Sequence, residues 1–252
     1  MTGQKFPVTQ LWTYPIKGLC GQLLPTADLT AGAHFPGDRR FAIGAGHDAV
    51  TDNDWLKKAY FLQLMSFAEI AAVTCDFEGN QLRLAHDDFG AITADMDSPQ
   101  GRIDIAAFFD RLLQGTLRGP ARMVTLEKGA FTDTKAPLLS LGGSASFAGF
   151  GALTNTPPDP RRFRLNIIFE TETPFQELAL IGSTLGIGDV RLRVTEPVGR
   201  CAAIDVDPQT AIRGPHYLPM MKENLGHSDL GIFAEVLTGG TIAQGDMVTV
   251  LT

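Results

Sequence analysis

Short apolar runs broken by turn residues dominate the chain. In the first half, residues 8–12, 40–44, 69–75, 81–85 and 91–94 have strand length, and several alternate apolar with polar positions. That two-residue period belongs to a half-buried strand. The stretch Asp76-Phe77-Glu78-Gly79-Asn80 predicts a hairpin turn between two of them. Two segments repeat at helical spacing instead. Asn53 caps a predicted helix over 54–67, with Trp55, Ala59, Leu62 and Phe67 near one face. A second predicted helix runs over 103–114 through Ile105, Phe108, Phe109, Leu112 and Leu113, and Gly115 stops it.

The second half predicts strands at 122–126, 164–170, 189–196, 203–206, 231–237 and 247–251. Residues 140–153 predict a helix weakened by four glycines, and 219–225 a short helical segment. The run Thr156-Pro157-Pro158-Asp159-Pro160 predicts a stiff loop. Gly239-Gly240 and Gly245-Asp246 mark turns between the last strands. Many short strands between turn signals predict a mainly β fold with some α (α+β), a barrel or sandwich rather than a doubly wound sheet. A composition break near 115–121 predicts two lobes, 1–120 and 121–252.

Composition narrows the function classes. Of 252 residues, 44% are hydrophobic and 19% charged, the balance of a globular chain with a real core. A net charge of −7 without a basic tail argues against non-specific binding of nucleic acid or an anionic membrane. The three cysteines, Cys20, Cys75 and Cys201, are widely spaced. They argue against a disulfide framework, a four-cysteine cluster and a C-x-x-C zinc site, and fit a reducing compartment. With no signal-peptide pattern at residues 1–7 and no long apolar run, the expected location is the cytoplasm.

Candidate chemistry centres on Cys201, in Glu196-Pro197-Val198-Gly199-Arg200-Cys201. A thiol on a loop beside an arginine favours the thiolate, the nucleophilic and metal-binding form. The alternative is a small buried apolar residue. Cys75 reads as core, and Cys20 sits near a turn. Lys17, Arg39, Arg40, Arg164 and Arg200 lie at strand ends, with Arg161 and Arg162 close by. Guanidinium forks there suit an oxyanion, against surface solvation or a structural ion pair as the alternative. The five histidines share no metal-ligand spacing. Leu141-Gly142-Gly143-Ser144-Ala145-Ser146 only loosely resembles an anion-binding loop.

Taken in order, several segments resemble the MOSC family, named for the C-terminal domain of molybdenum cofactor sulfurases. Tyr14-Pro15-Ile16-Lys17-Gly18 and Gly37-Asp38-Arg39-Arg40-Phe41 are similar to motifs of the N-terminal β-barrel domain that accompanies MOSC. Arg162-Phe163-Arg164-Leu165-Asn166-Ile167 and Gly199-Arg200-Cys201 are similar to MOSC motifs. So are Val206-Asp207-Pro208, Gly231-Ile232-Phe233-Ala234-Glu235-Val236 and Thr238-Gly239-Gly240-Thr241-Ile242. The resemblance implies an N-terminal β-barrel-like lobe over 1–120 and a MOSC β-barrel over 121–252. It implies a molybdenum cofactor (molybdopterin) whose metal is held by Cys201, the catalytic position. Lys17, Arg40, Arg164, Asn166 and Arg200 match its cofactor contacts, with Ser144 and Ser146 as possible hydroxyl donors. Through its relatives of the amidoxime-reducing type, it implies an oxidoreductase that reduces N-oxygenated small molecules. Electrons then come from a separate ferredoxin- or cytochrome-type protein. The other reading is a cofactor carrier or sulfur-transfer module that uses Cys201 without redox turnover. Two departures stand out. Gly18 replaces a frequent serine, and Tyr60-Phe61-Leu62-Gln63-Leu64 lacks an arginine common in the family.

Overall fold

The alternation at the start of the chain leads straight to the architecture. In the computed structural model, which describes residues 3–251, strand β1 (Lys5–Thr13) turns Phe6, Val8 and Leu11 inward. The inward set skips a position because the register shifts between Val8 and Gln10. A bulge of this kind keeps Leu11 facing the core. Then follow β2 (Gln22–Leu24), β3 (Thr26–Leu29), β4 (Phe41–Gly44), β5 (Thr74–Glu78), β6 (Gln81–His86), β7 (Gly90–Asp95) and α1 (Pro99–Leu112). After them come β8 (Arg122–Thr125), β9 (Leu138–Gly143), α2 (Ser144–Thr154), β10 (Ile167–Phe169) and β11 (Thr184–Ile187). The last elements are β12 (Val190–Gly199), α3 (Tyr217–Leu225), β13 (Asp229–Thr238), β14 (Gly240–Ala243) and β15 (Met247–Val250).

The pairing order β10-β9-β13-β12-β11-β15-β1 closes on itself because β1 also pairs with β10, so seven strands form a barrel. Closure removes the unpaired edges that an open sheet exposes. Leu139, Leu141, Ile167, Phe169, Leu185, Leu192 and Ile232 fill it, each with no exposure. Burying one such side chain contributes roughly 1.5–3 kcal/mol. A second lobe packs the meander β5-β6-β7 and the pair β4-β8 around Ile105, Phe108 and Phe109 of α1. Ser98 caps α1, its hydroxyl accepting from the Gly101 amide. Elements cross the 120/121 junction in both directions. β1 closes the barrel made by the second half, and β8 pairs with β4 of the first.

Four local expectations need correction. The predicted helix over 54–67 is a loop with one short 3₁₀ turn at Lys58–Tyr60. Asn53 takes a positive φ and accepts from the Glu127 amide, so it anchors that loop instead of capping a helix. Residues 69–72 form part of a 3₁₀ turn, and the strand begins at Thr74. Residues 203–205 likewise belong to a 3₁₀ turn, Ala202–Asp205. The predicted helix over 140–153 is β9 up to Gly143 and a helix only from Ser144. Among the described residues, no helix is long and apolar enough to cross a membrane.

Candidate functional site

Arg164 has to leave the strand that its neighbours predict. It takes a positive φ of 56°, and β10 starts only at Ile167. Phe163 and Leu165 on either side are buried, so the backbone turn sends the guanidinium the other way. It enters a cavity of about 370 Å³ between the barrel end and the second lobe. Cys201 meets it there, because β12 ends at Gly199 and a short turn begins after the cysteine. Lys17, Asn166 and Arg200 line the same space.

Arg200 and Arg164 are each fixed by one carbonyl and left with free donors. Arg200 Nη1 donates to the Phe163 carbonyl at 2.9 Å. Arg164 Nη1 donates to the Leu19 carbonyl. Arg164 Nη2 and Arg200 Nε are buried and have no hydrogen-bond partner among the described residues. Burial lowers both guanidinium pKa values to about 10, which still leaves them charged at neutral pH. Tyr14 is a spacer between two cations, with Arg164 4.3 Å and Arg39 4.9 Å from its ring centroid. Burial pushes its own hydroxyl up to about 12.

The opposite rim is an ion-pair chain. Lys17 Nζ donates to the Phe131 carbonyl at 2.8 Å and to Asp133 at 2.7 Å, and Lys58 reaches the other Asp133 oxygen at 3.2 Å. Burial opposes ionisation of Asp133, but Lys17 and Lys58 outweigh it and hold the carboxyl at about 2. Burial lowers Lys17, and Asp133 offsets only part of that. For Lys58, burial is outweighed by Asp133 and then by Cys201, so its pKa rises.

Other neighbours are structural. Asn166 Oδ1 accepts from the Ser140 amide and hydroxyl, and its Nδ2 donates to the Trp12 carbonyl. It ties β1, β9 and the approach to β10 together at the cavity wall. Arg162 donates to the carbonyls of Ile204 and Val206 and to Asp207, fixing the turn after Cys201.

Three residues singled out in the sequence lie elsewhere. Arg40 pairs with Asp97 at 2.7 Å and does not line this cavity. Ser144 accepts from the Thr171 amide. Ser146 is buried, donates to Glu177 at 2.6 Å and accepts from the Phe175 amide. Arg39, rather than Arg40, lines the cavity, which the adjacent pair in sequence does not distinguish. Lys58 and Asp133 carried no signal, because Lys58 lies within the segment read as a helix and Asp133 in one without period, and nothing local links the two. Gly18 also has a local reason. Its φ is +85°, and a Cβ there would lie 2.7 Å from the Leu62 carbonyl oxygen, so a serine would be strained.

The cavity suits an anion. Six Lys or Arg side chains line it against three carboxylates, although the whole chain carries −7. Unpaired buried donors of charged groups are costly unless a ligand satisfies them. With one thiol among them, the residues present fit a phosphate-bearing group that also binds a soft metal.

Residues 143–249 match the MOSC domain family. Molybdenum cofactor sulfurase of Drosophila mojavensis is 37% identical over 81 residues, 32% of this chain and 10% of that protein. The same protein of Drosophila grimshawi is 34% identical over 96 residues, 36% of this chain and 12% of the relative. The chain thus spans about a tenth of the length of the curated relatives it matches. Among solved structures, the YUAD protein from Bacillus subtilis aligns over 98% of this chain and 96% of its own, at 12% identity and a TM-score of 0.46. YiiM from Geobacillus stearothermophilus aligns over 45% of this chain and 54% of its own, at 18% identity and a TM-score of 0.36. Residues 143–249 are thus the part of the chain that is similar to the MOSC domain, a domain associated with the molybdenum cofactor.

Proposed function

We propose that the chain binds the molybdenum cofactor (molybdopterin) in the Cys201 cavity and works as an oxidoreductase on N-oxygenated small molecules. The observation that carries this is the meeting of Cys201 with the unpaired donors of Arg164 and Arg200 in one cavity. Cys201 is the metal ligand, a soft thiolate for a soft site. Arg164 and Arg200 hold the pterin phosphate by charge-assisted hydrogen bonds. Lys17 adds positive charge from the far rim, and Asn166 keeps the wall in register. When bound, the cofactor supplies two-electron oxygen-transfer chemistry. The protein's share is to hold the group in one orientation and keep small-molecule access at the cavity mouth. Electrons come from a separate ferredoxin- or cytochrome-type protein.

The named relatives favour a second reading, a carrier or sulfur-transfer module with a persulfide on Cys201. Molybdenum and pterin analysis of protein from a cofactor-competent host tests binding. Near-stoichiometric metal is expected in the wild type, and almost none in Cys201→Ala with an unchanged circular dichroism spectrum. Protein without molybdenum or pterin would overturn cofactor binding. Loaded protein that fails to reduce an amidoxime with a chemical electron donor would favour the carrier.

A further inference from the structure

The other two cysteines are far apart in sequence but touch in the fold. Cys20 follows the Lys17-Gly18 turn and Cys75 lies in β5, and their Sγ atoms are 2.8 Å apart. That is only about 0.8 Å longer than a sulfur–sulfur bond. Both thiols are free and half-buried. Their backbones are held on both sides. Ile16, Leu19, Ile70 and Val73 belong to one apolar cluster, and Cys20 Sγ also sits 2.9 Å from the Val73 carbonyl. The turn before Cys20 runs close to the Leu62 carbonyl, where even a Cβ at Gly18 would not fit. The pair is therefore preorganised by packing that exists for other reasons.

The loop also faces the cavity. Leu19, next to Cys20, supplies the carbonyl that fixes Arg164.

We propose that Cys20 and Cys75 form a reversible dithiol–disulfide site that reacts with low-molecular-weight disulfides, one residue from the carbonyl that orients Arg164. In the first step the Cys20 thiolate attacks one sulfur of the small disulfide. The small S–S bond breaks, a mixed disulfide forms on Cys20, and one small thiol leaves with a proton. Cys75 then loses its proton and attacks the Cys20 sulfur, expelling the second small thiol. Two protein thiols lose two electrons and two protons, and the small disulfide becomes two thiols. Cys20 suits the attacking role. The side-chain contact with Cys75 pulls its pKa below the usual value against the opposing effect of burial, while Cys75 is pushed well above. The site is independent of what fills the Cys201 cavity.

The test uses the full chain in glutathione buffers of graded redox ratio, followed by alkylation and peptide mass mapping. A Cys20–Cys75 linked peptide is expected in oxidised glutathione, lost again on adding dithiothreitol, with Cys201 still open to alkylation. Cys75→Ser should stop at glutathione on Cys20. Complete alkylation of both wild-type thiols in oxidised glutathione would overturn the proposal. So would a bridge found only between chains or only to Cys201.

Discussion

Inside the barrel, Leu141, Phe169, Leu185 and Ile232 bury one another completely and leave no polar atom to satisfy. At its end, a few residues along the same strands, Arg164 and Arg200 keep buried N–H groups without partners. The first arrangement is complete as it stands. The second has charged donors to spare, a surplus that suits an anion, because burying a charged donor unpaired costs more than burying an alkyl group gains. Arg162 lies between the two. It is as buried as the core and its Nε likewise lacks a partner, but its Nη atoms make three hydrogen bonds, to Ile204, Val206 and Asp207, where Arg164 and Arg200 make one each, so it serves the fold.

The largest effect tests the dry region. Phe169→Ala should cost about 3–5 kcal/mol in urea unfolding, as large-to-small core changes do. Next comes the contrast between two arginines two positions apart. Arg162→Ala should destabilise by on the order of 3 kcal/mol, because it strands partners in a buried network. Arg164→Ala should leave stability nearly unchanged but weaken retention of pterin by about 1.5–3 kcal/mol, the scale of a charge-assisted hydrogen bond. Equal losses of stability in the two variants would erase the distinction between structural and ligand-facing arginines.

The smaller effects are opposite in pH. Burial raises the Glu177 carboxyl above 4.5, and the Ser146 hydroxyl offsets part of that. A raised carboxyl contributes fully below its unfolded value, and that contribution fades as pH climbs through the folded one. Ser146→Ala should cost about 1–3 kcal/mol, and its stability should fall more steeply than wild type as pH rises above 4.5. Asp133 runs the other way. Its contribution is present above 3.8 and disappears as pH falls towards about 2. Asp133→Asn should flatten that acid limb in denaturation curves, by less than about 1 kcal/mol because the pair is half-exposed.

Legibility in the sequence followed periodicity. The alternating runs near β1, β6, β12 and β13 were readable because one face of each is buried, and α1 because its apolar stripe is. The segment 54–67 misleads because Leu62, Trp55 and Phe67 pack into more than one apolar cluster as a loop, mimicking a stripe without helix hydrogen bonds. Arg164 alternates with Phe163 and Leu165 as in a strand, but its positive φ is a tertiary outcome that pattern does not encode. Cys201, Lys17, Arg164 and Arg200 were found through motif order, and the structure brings these four to one cavity. The rim pair Lys58–Asp133 joins loops 75 positions apart and has no local signature. The contact between Cys20 and Cys75 is of the same kind.

The barrel is closed by its earliest strand. β1 pairs with β15, so Lys5 to Pro7 wait for Met247 to Thr249 to be made. On a ribosome, this stave can meet β2 and then β10, but its edge towards β15 stays open until the last stave is made. The meander and α1 can condense while the barrel is still open along the β15 edge of β1, with β2 already available to pair β1 at Leu11 to Thr13. Gene fragments limited to 143–249 will produce a barrel lacking two of its staves, β1 and most of β9, and should collect in the insoluble fraction.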